Sequence, residues 1–403
     1  MDTIRREDYL AALSRYVKSP AVVVITGLRR VGKSVLLRQL AEDLAQDGQV
    51  LYVDKEDLSF DAVRTARDLV SWVGRHRNNA VATWVVIDEV QLIQDWELAI
   101  ASLHGRDGVK VVLSGSNATL LGGELASRLA GRYVSLRVLP LSFAEFTRLY
   151  TLKGHAQRTR DELFHLYRKI GGLPGLLHTD LSEDLLVQMQ RDVYNTIAFR
   201  DVVARHSIRD VGMLEAVTRF AMDSVGNLVS ANRITNFLKN QGRKTSLDTV
   251  LNYLSYLCEA FVFEQVSRFE IQGRRHLEVG FKYYLGDISL RSGIMGSRQQ
   301  WIGGDLENLV LHELVRRGYQ VSIGSIGTYE IDFVANRADM CIYVQVAYLL
   351  ESPETVAREV RALLAVPDAH PKVIISLDPV KPGDLNGVSH LYALDFLSGA
   401  PLT

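Results

Sequence analysis

The sequence predicts an α/β fold class, with a parallel sheet at the start of the chain and smaller modules after it. Three observations support this prediction. Short apolar runs alternate with helical stretches over the first 150 residues, a basic helical segment follows, and the last hundred residues alternate again. The chain has 403 residues, 47% hydrophobic and 23% charged, which is ordinary globular usage and excludes a mainly disordered chain.

The first half contains five short apolar runs with the β-branched composition of strands that are buried on both faces. They are residues 21–26 (AVVVIT), 51–54, 82–89, 109–117 and 133–141. Helical stretches start at Ser34 and cover residues 61–76 and 96–106. This alternation predicts a parallel sheet covered by helices on both faces.

A phosphate-binding loop follows the first predicted strand. The pattern G-x-x-x-x-G-K-[ST] is matched by Gly27, Leu28, Arg29, Arg30, Val31, Gly32, Lys33 and Ser34, with Val35 next. Glycines let backbone N–H groups face a phosphate, and the positive end of the following helix points at the same place. Lys33 is expected to reach the β- and γ-phosphates, and the Ser34 hydroxyl to bind Mg²⁺. The motif predicts a P-loop NTPase core that binds ATP and Mg²⁺.

Polar residues at the ends of two later strands supply further chemistry. Asp88 and Glu89 end the third predicted strand. Asp88 is expected to hold Mg²⁺, and Glu89 to orient and deprotonate the attacking water. The fourth strand ends in Ser114-Gly115-Ser116-Asn117. We expect Asn117, or failing that Ser116, to position that water beside the γ-phosphate.

Two arginines, Arg128 and Arg132, precede the fifth strand. An arginine supplied by a neighbouring subunit stabilises the charge of phosphoryl transfer, and Arg132 is the stronger candidate because it adjoins the strand. Together GLRRVGKS, VVIDEVQ, LSGSN and LASRLAGRYVSLRVLPLSFAEF resemble AAA+ ATPases of the bacterial and archaeal branch that carries domain of unknown function 4143. The resemblance implies a five-stranded core, a helical lid at YRKIGGLPGLL (167–177), a sensor role for Asn117, and arginine fingers at Arg128 and Arg132. An arginine shared between subunits implies a homo-oligomeric ring, expected to be a hexamer.

The net charge of -1 conceals a basic middle and an acidic end. Residues 191–244 carry nine Lys/Arg and five Asp/Glu, whereas residues 300–403 carry seven and thirteen. A helix from residue 231, a second helix after Thr245 and two extended runs with Gly273 between them follow the order of a winged helix, and the family resemblance points the same way. Sequence-independent DNA contacts are expected from Arg243, Lys244, Arg274 and Arg275. Packing or protein docking is the alternative use of such a module.

The last hundred residues resemble the PD-(D/E)xK nuclease fold. Glu307 and Asp332 match its first two acidic positions, but the acid-x-lysine position reads Gln345-Val346-Ala347. Because the lysine is missing and the acid is an amide, we expect a non-cleaving domain. The predicted domains are a nucleotide-binding core with an N-terminal helix (1–150), a lid (151–205), a winged helix (206–290) and a nuclease-like domain (291–403).

The combined prediction is a cytoplasmic ATPase that translocates on or remodels DNA. Three alternatives stay open: an ATP-controlled protein-docking switch, a nuclease that uses Glu307 and Asp332, and a binding module with a silent ATP site. The cysteines, Cys258 and Cys341, are expected to be small buried hydrophobic residues, and their spacing fits no metal site. No run of about 18 apolar residues occurs, so no membrane span is expected.

Overall fold

The structure is a computed structural model, and it describes residues 3–122, 127–129, 131–178, 181–296, 298–380 and 385–402. The chain divides into two compact units. The first comprises Met1–Pro140 with Glu259–Phe261, and the second comprises Leu141–Cys258 with Val262–Thr403. The domain boundaries predicted after residues 150, 205 and 290 all fall inside the second unit.

A five-stranded parallel sheet forms the centre of the first unit. Its strands are β1 (Val22–Thr26), β2 (Gln49–Asp54), β3 (Thr83–Asp88), β4 (Val109–Gly115) and β5 (Tyr133–Arg137). They lie in the order β2-β3-β4-β1-β5, and every pairing is parallel. β1 and β3 are buried along their whole length, which explains their uninterrupted apolar sequences. The predicted parallel sheet with helices is confirmed.

The helices of the first unit pack their apolar stripes against this sheet. They are α1 (Glu7–Tyr16), α2 (Lys33–Leu44), α3 (Ala66–His76) and α4 (Trp96–His104). α3 begins with a capping box between Thr65 and Asp68, and its Leu69 and Val73 join the core cluster that contains Val85 and Ile87 of β3. Successive residues of β3 point to opposite faces of the sheet, and both faces are buried. The strand is therefore packed on both sides.

The second unit starts with helices and ends with an α/β region. Its helices are α5 (Phe143–Leu152), α6 (Arg160–Ile170), α7 (Glu183–Thr196), α8 (Val211–Asp223), α9 (Ala231–Asn240), α10 (Leu247–Glu259), α11 (Ser289–Met295), α12 (Ile302–Arg316), α13 (Pro353–Leu364) and α14 (Ala393–Leu397). α7 continues through a π-helical segment, Ile197–Val203, into a last turn, Ala204–His206. Among the described residues, none of the helices has both the length and the apolar character that a bilayer crossing requires.

One eight-stranded mixed sheet runs through the second unit. Its strands are β6 (Leu228–Val229), β7 (Phe263–Glu270), β8 (Arg275–Leu285), β9 (Gln320–Ile326), β10 (Tyr329–Arg337), β11 (Met340–Ala347), β12 (Lys372–Ser376) and β13 (Ser389–Tyr392). The order is β13-β12-β11-β10-β9-β7-β8-β6. β7 and β8 form the predicted antiparallel hairpin, and β7 also pairs in parallel with β9 through Arg268–Glu270. The hairpin and the later strands therefore share one sheet.

Several local predictions differ from the structure. The helical spacing of Leu247, Val250, Leu251, Leu254 and Leu257 predicts one shared apolar face of α10. Leu247 and Leu251 are nevertheless 37% and 47% exposed, because Val250, Leu254 and Leu257 form a narrower buried stripe. Both cysteines are half-buried rather than buried. The sequence predicts an amphipathic helix from Glu307, but α12 starts earlier, at Ile302, so that Glu307 lies in its second turn.

Candidate nucleotide-binding site

The loop between β1 and α2 has the backbone shape that a phosphate requires. Gly27 and Gly32 have φ values of +148° and +96°, and Arg30 also lies at positive φ, +68°. A Cβ atom on Gly27 would stand 2.3 Å from the Val138 carbonyl oxygen, so only glycine fits there. Gly32 directly precedes the first turn of α2. The loop thus curls in front of the positive end of a helix, where backbone N–H groups attract anions.

Lys33 and Ser34 extend the site toward β3. Lys33 is 4% exposed, and its Nζ donates to the carbonyl oxygens of Gly27 at 3.0 Å and Leu28 at 3.1 Å. The Ser34 side chain is hydrogen-bonded to Asp88, which also accepts from the Ser114 hydroxyl. Burial raises the pKa of Asp88, although the two hydroxyl hydrogen bonds oppose that shift. The structure therefore brings together the two residues predicted to hold Mg²⁺.

Glu89 is held in a left-handed backbone conformation, at φ 53° and ψ 52°, and is 5% exposed. Its Oε2 accepts from the Ser116 hydroxyl at 3.3 Å and from the Gln91 amide, and its Oε1 lies 4.0 Å from Lys33 Nζ. A non-glycine residue in this conformation costs of order 1–3 kcal/mol and is typical of functional sites. The strained turn places the predicted water-activating carboxylate next to the phosphate-binding lysine.

Arg29 connects three parts of the first unit. Its Nη1 donates to Glu56 Oε1 at 3.1 Å, and its Nη2 donates to the Ser116 hydroxyl at 3.4 Å and lies 3.8 Å from Glu89 Oε2. The sequence predicts Arg29 only as a member of the loop. Its contact with Glu89 has no signal in the sequence, because the three partners follow three different strands.

Asn117 contains a buried hydrogen-bond donor that has no partner in the part of the chain that the structure describes. Asn117 is fully buried, and its Oδ1 accepts from the Thr119 backbone N–H at 2.7 Å. That bond orients the amide, and Nδ2 is left without a hydrogen-bond partner. An unsatisfied buried donor costs about 1–3 kcal/mol, so an acceptor supplied by a ligand or water at this position stabilises the site.

The sheet order explains why these residues meet. β4 lies between β1 and β3, with Thr26 opposite Gly115 and Ile87 opposite Leu113. The carboxyl ends of parallel strands meet at one edge, so the loop after β1, the acids after β3 and Asn117 after β4 converge there. A curled glycine loop, a lysine, a hydroxyl–carboxylate pair and an orphaned amide donor fit a Mg²⁺-bound nucleoside triphosphate.

The predicted arginines differ in their surroundings. Arg128 and Arg132 are exposed, and Arg132 Nε donates to the Leu129 carbonyl oxygen at 3.1 Å. Arg168 of the predicted lid lies in the second unit and pairs with Asp305 at 3.0 Å. Exposure is compatible with an arginine that completes a neighbouring subunit's site.

The comparisons with known proteins agree with this geometry. Residues 19–147 match the family model described as an AAA domain, and residues 161–300 match a domain of unknown function, DUF8612. An uncharacterized protein of Haemophilus influenzae is 34% identical over 399 residues, which is 98% of each chain. The chain belongs to the same family as that protein. An AAA domain implies nucleotide binding and ATPase activity. The model matched after it is DUF8612 and not the domain 4143 that the sequence resemblance named.

Two more distant proteins are also similar to this chain. The uncharacterized protein MJ1544 of Methanocaldococcus jannaschii is 26% identical over 357 residues, 85% of this chain and 77% of that protein. The Walker-type ATPase PABY2304 of Pyrococcus abyssi has a similar fold, with a TM-score of 0.52 at 16% identity over 73% of this chain and 96% of that one. At that identity the likeness concerns the fold alone.

The remaining predicted residues lie in the second unit. Arg243, Lys244, Arg274 and Arg275 are all exposed, Arg243 donates to the Gly212 carbonyl oxygen at 2.9 Å, and Arg275 pairs with Glu270 at 2.7 Å. The structure also brings together Glu307 and Asp332, the predicted nuclease-like acids, around a lysine that sequence reasoning missed, Lys282.

Proposed function

We propose that this chain hydrolyses Mg²⁺-bound ATP as one subunit of a ring and uses the hydrolysis to move along or remodel DNA. The convergence of Lys33, Ser34, Asp88 and Glu89 around one curled loop supports the hydrolytic part. The unpartnered Nδ2 of Asn117 adds a donor where the reacting phosphate is expected.

Each side chain has a defined task in this proposal. Lys33 exchanges its two carbonyl acceptors for phosphate oxygens, which are stronger acceptors because they are charged. Glu89 accepts the proton of the attacking water, and Asn117 Nδ2 donates to that water or to a γ-phosphate oxygen. Mg²⁺, held by Ser34 and Asp88, would neutralise charge on the transferred phosphoryl group.

Completion of the site by a neighbour is the reason for proposing a ring. Arg132 and Arg128 are the candidate fingers, and phosphoryl transfer gains about 10³–10⁵-fold in rate from such an arginine. A chain that lacks a partner is then a slow ATPase. ATPase activity per subunit is expected to rise with protein concentration until the oligomer forms, and size-exclusion chromatography with light scattering gives the subunit number.

The DNA-binding part of the proposal rests on a basic groove in the second unit. We define the basic groove as two neighbouring clefts of about 390 and 420 Å³ that share Glu215 and Arg219. Its arginines are exposed and are Arg191, Arg219, Arg233, Arg243 and Arg298. Five arginines face only two acids among the described lining residues, Glu215 and Asp223, so the groove is locally positive and suits a phosphate backbone.

Aromatic rings in the basic groove favour single strands. Phe220 and Phe237 have ring centroids 4.8 Å apart, and Phe237 is 42% exposed. An exposed ring beside arginines offers the kind of stacking surface that sequence-independent single-strand binding uses. The order α8, β6, α9, α10, β7, β8 supports use of this region as a winged helix, with Arg274 and Arg275 at the tip of the hairpin.

The experiment that tests the proposal measures ATPase rate with single-stranded, double-stranded and branched DNA at two salt concentrations. We expect stimulation that weakens as salt rises, because phosphate contacts release counterions. The variant Arg219→Ala/Arg233→Ala should lose the stimulation and keep the basal rate. Arg358→Ala/Arg361→Ala, which removes two exposed arginines of α13, is the matched control and should behave as wild type.

Each alternative function has its own outcome. Stimulation by a protein and by no form of DNA would support an ATP-controlled docking switch instead of a DNA motor. Lys33→Ala should abolish hydrolysis, and hydrolysis that is undetectable in the wild type at every protein concentration would support a silent ATP site.

A further inference from the structure

Lys282 lies at the centre of three carboxylates in the second unit. Its Nζ is 2.8 Å from Glu307 Oε1, 2.9 Å from Glu330 Oε1 and 3.2 Å from Asp332 Oδ1, and its side chain is 2% exposed. An ammonium group carries three N–H donors, and three acceptors surround this one. We call these four residues the ammonium cluster.

Three separate elements build the ammonium cluster. Lys282 lies in the middle of β8, Glu307 on α12, and Glu330 with Asp332 on one face of β10, because residues two apart in a strand share a face. Tyr284, on the same face of β8 as Lys282, donates its hydroxyl to Glu307 Oε1 at 2.5 Å. The geometry is therefore set by the fold.

The cluster contains the two acids that the sequence assigns to a nuclease-like site. Glu307 and Asp332 are the two acids predicted there, and such sites hold divalent cations with carboxylate oxygens. Asp332 Oδ2 accepts from the Val346 backbone N–H at 2.9 Å. Gln345, which stands in place of a third acid, accepts from the Asp332 backbone N–H at 3.3 Å and donates to Glu359 at 3.0 Å.

The lysine is placed as a counter-ion to the three carboxylates. All three donors of Lys282 are matched by carboxylates. Among the described residues, no group of three His, Cys, Asp or Glu side chains is arranged to hold a metal ion.

We propose that the ammonium of Lys282 is the built-in cation of this carboxylate pocket, so that the pocket takes no divalent metal unless the lysine side chain is removed. A pocket whose cation is a tethered ammonium lacks the metal that cleavage at a nuclease-like site requires. This inference does not depend on the ATPase or on DNA binding by the basic groove.

Terbium(III) luminescence tests the proposal, because Tyr284 contacts Glu307 and is placed to sensitise a lanthanide bound there. Tb³⁺–oxygen distances resemble those of Ca²⁺, about 2.3–2.6 Å, so the three carboxylates need to close by only about half an ångström. Tb³⁺ is titrated, without nucleotide, into wild type, Lys282→Ala, Asp332→Asn and Lys282→Ala/Asp332→Asn.

We expect one saturable, tyrosine-sensitised site in Lys282→Ala that wild type and the double variant lack. Its apparent Kd should be at least about tenfold lower than any in wild type, since affinity rises with the uncompensated charge of the ligands. Lys372→Ala, which removes another lysine of the same sheet, is the matched control and should resemble wild type. If Lys282→Ala does not fold, as circular dichroism would show, Lys282→Met keeps the volume of the side chain and takes its place.

Three results would overturn the inference. The first is a Tb³⁺ site in wild type that Asp332→Asn removes, because the pocket would then admit metal beside the lysine. The second is a folded Lys282→Ala or Lys282→Met without a site that depends on Asp332. The third is plasmid cleavage by wild type in Mg²⁺ or Mn²⁺ that Asp332→Ala abolishes; absence of cleavage supports the inference.

Discussion

Substitution of Asn117 is expected to affect the stability of the first unit and the rate of ATP hydrolysis to different extents. Its Oδ1 accepts from the Thr119 backbone N–H and caps a short turn, whereas its Nδ2 has no hydrogen-bond partner within the described residues. Asn117→Ala removes both groups. Loss of the cap is expected to cost about 1 kcal/mol, equivalent to about 2–4 °C in the Tm of a unit of this size. Removal of the unsatisfied Nδ2 offsets this cost, so we expect the Tm to change by no more than a few degrees.

The catalytic effect of the same substitution is larger. Removal of a donor that faces the charge developing in the transition state lowers kcat about 10²–10³-fold. This loss is equivalent to about 3–4 kcal/mol of transition-state stabilisation. Asn117→Ser keeps an oxygen that caps the turn but does not reach as far as the amide. We expect Asn117→Ser to have at least the wild-type Tm and to lose kcat as severely as Asn117→Ala.

Steady-state phosphate release and thermal unfolding measure the two effects on the same samples. Asn78→Ala is the matched control, because Asn78 makes an equivalent turn contact, to the Ala80 backbone N–H at 3.0 Å, on the exposed surface of the same unit. It should lose some stability and keep kcat. Wild-type kcat in Asn117→Ser would refute the role given to Nδ2.

The other predictions concern the carboxylates and Arg29. Glu89→Gln should bind ATP with near wild-type affinity in equilibrium titrations and should hydrolyse it at least about 100-fold more slowly. Hydrolysis at the wild-type rate would contradict the assignment of Glu89 as the base. Arg29→Ala should lower kcat about tenfold with little change in KM, because Glu89 loses its guanidinium neighbour, whereas Arg38→Ala, at an exposed arginine of α2, should not. Burial raises the pKa of Asp287 from 3.8 to about 6, despite hydrogen bonds from Ser289 and Gly172. The folded state then holds a proton that the unfolded state has lost between these pH values, so this stability is present below about pH 4 and is lost as pH rises through about 6. The second unit should unfold at a higher temperature at pH 5 than at pH 7.5, and Asp287→Asn should reduce that difference; an unchanged difference would contradict the assignment.

The nucleotide site could be predicted from the sequence because each of its parts is marked by residues that are adjacent in the chain. Gly27 to Ser34 form one uninterrupted motif, and Asp88, Glu89 and Asn117 lie at or directly after the ends of short apolar strands. Parallel strands bring their carboxyl ends to one edge, so order along the chain was enough to predict proximity. The contact between Arg29 and Glu89 depends on side-chain directions that no spacing rule encodes.

The second unit was harder to predict because its key contacts are long-range. Lys282 is 25 residues before Glu307 and 50 before Asp332. A charged residue between Phe281 and Tyr283 in an apolar strand was the available signal. The sequence predicts strands at residues 329–335, 340–349 and 372–378 but none at β9. Ser322, Gly324 and Ser325 are buried in β9, which breaks the alternation of apolar and polar residues.

The pairing of β7 with β9 has a consequence for how this chain can be divided. Truncation after residue 290 would remove β9, the strand that pairs with Arg268–Glu270 of β7. The backbone N–H and C=O groups on that edge of β7 would then be unpaired. Such an edge recruits other chains, so a fragment ending there is expected to aggregate even if its helices fold. The β7–β8 hairpin and strand β10, which carries Glu330 and Asp332, therefore belong to one folding unit. A truncation or a genetic fusion that preserves this unit has to keep residues 262–402 together.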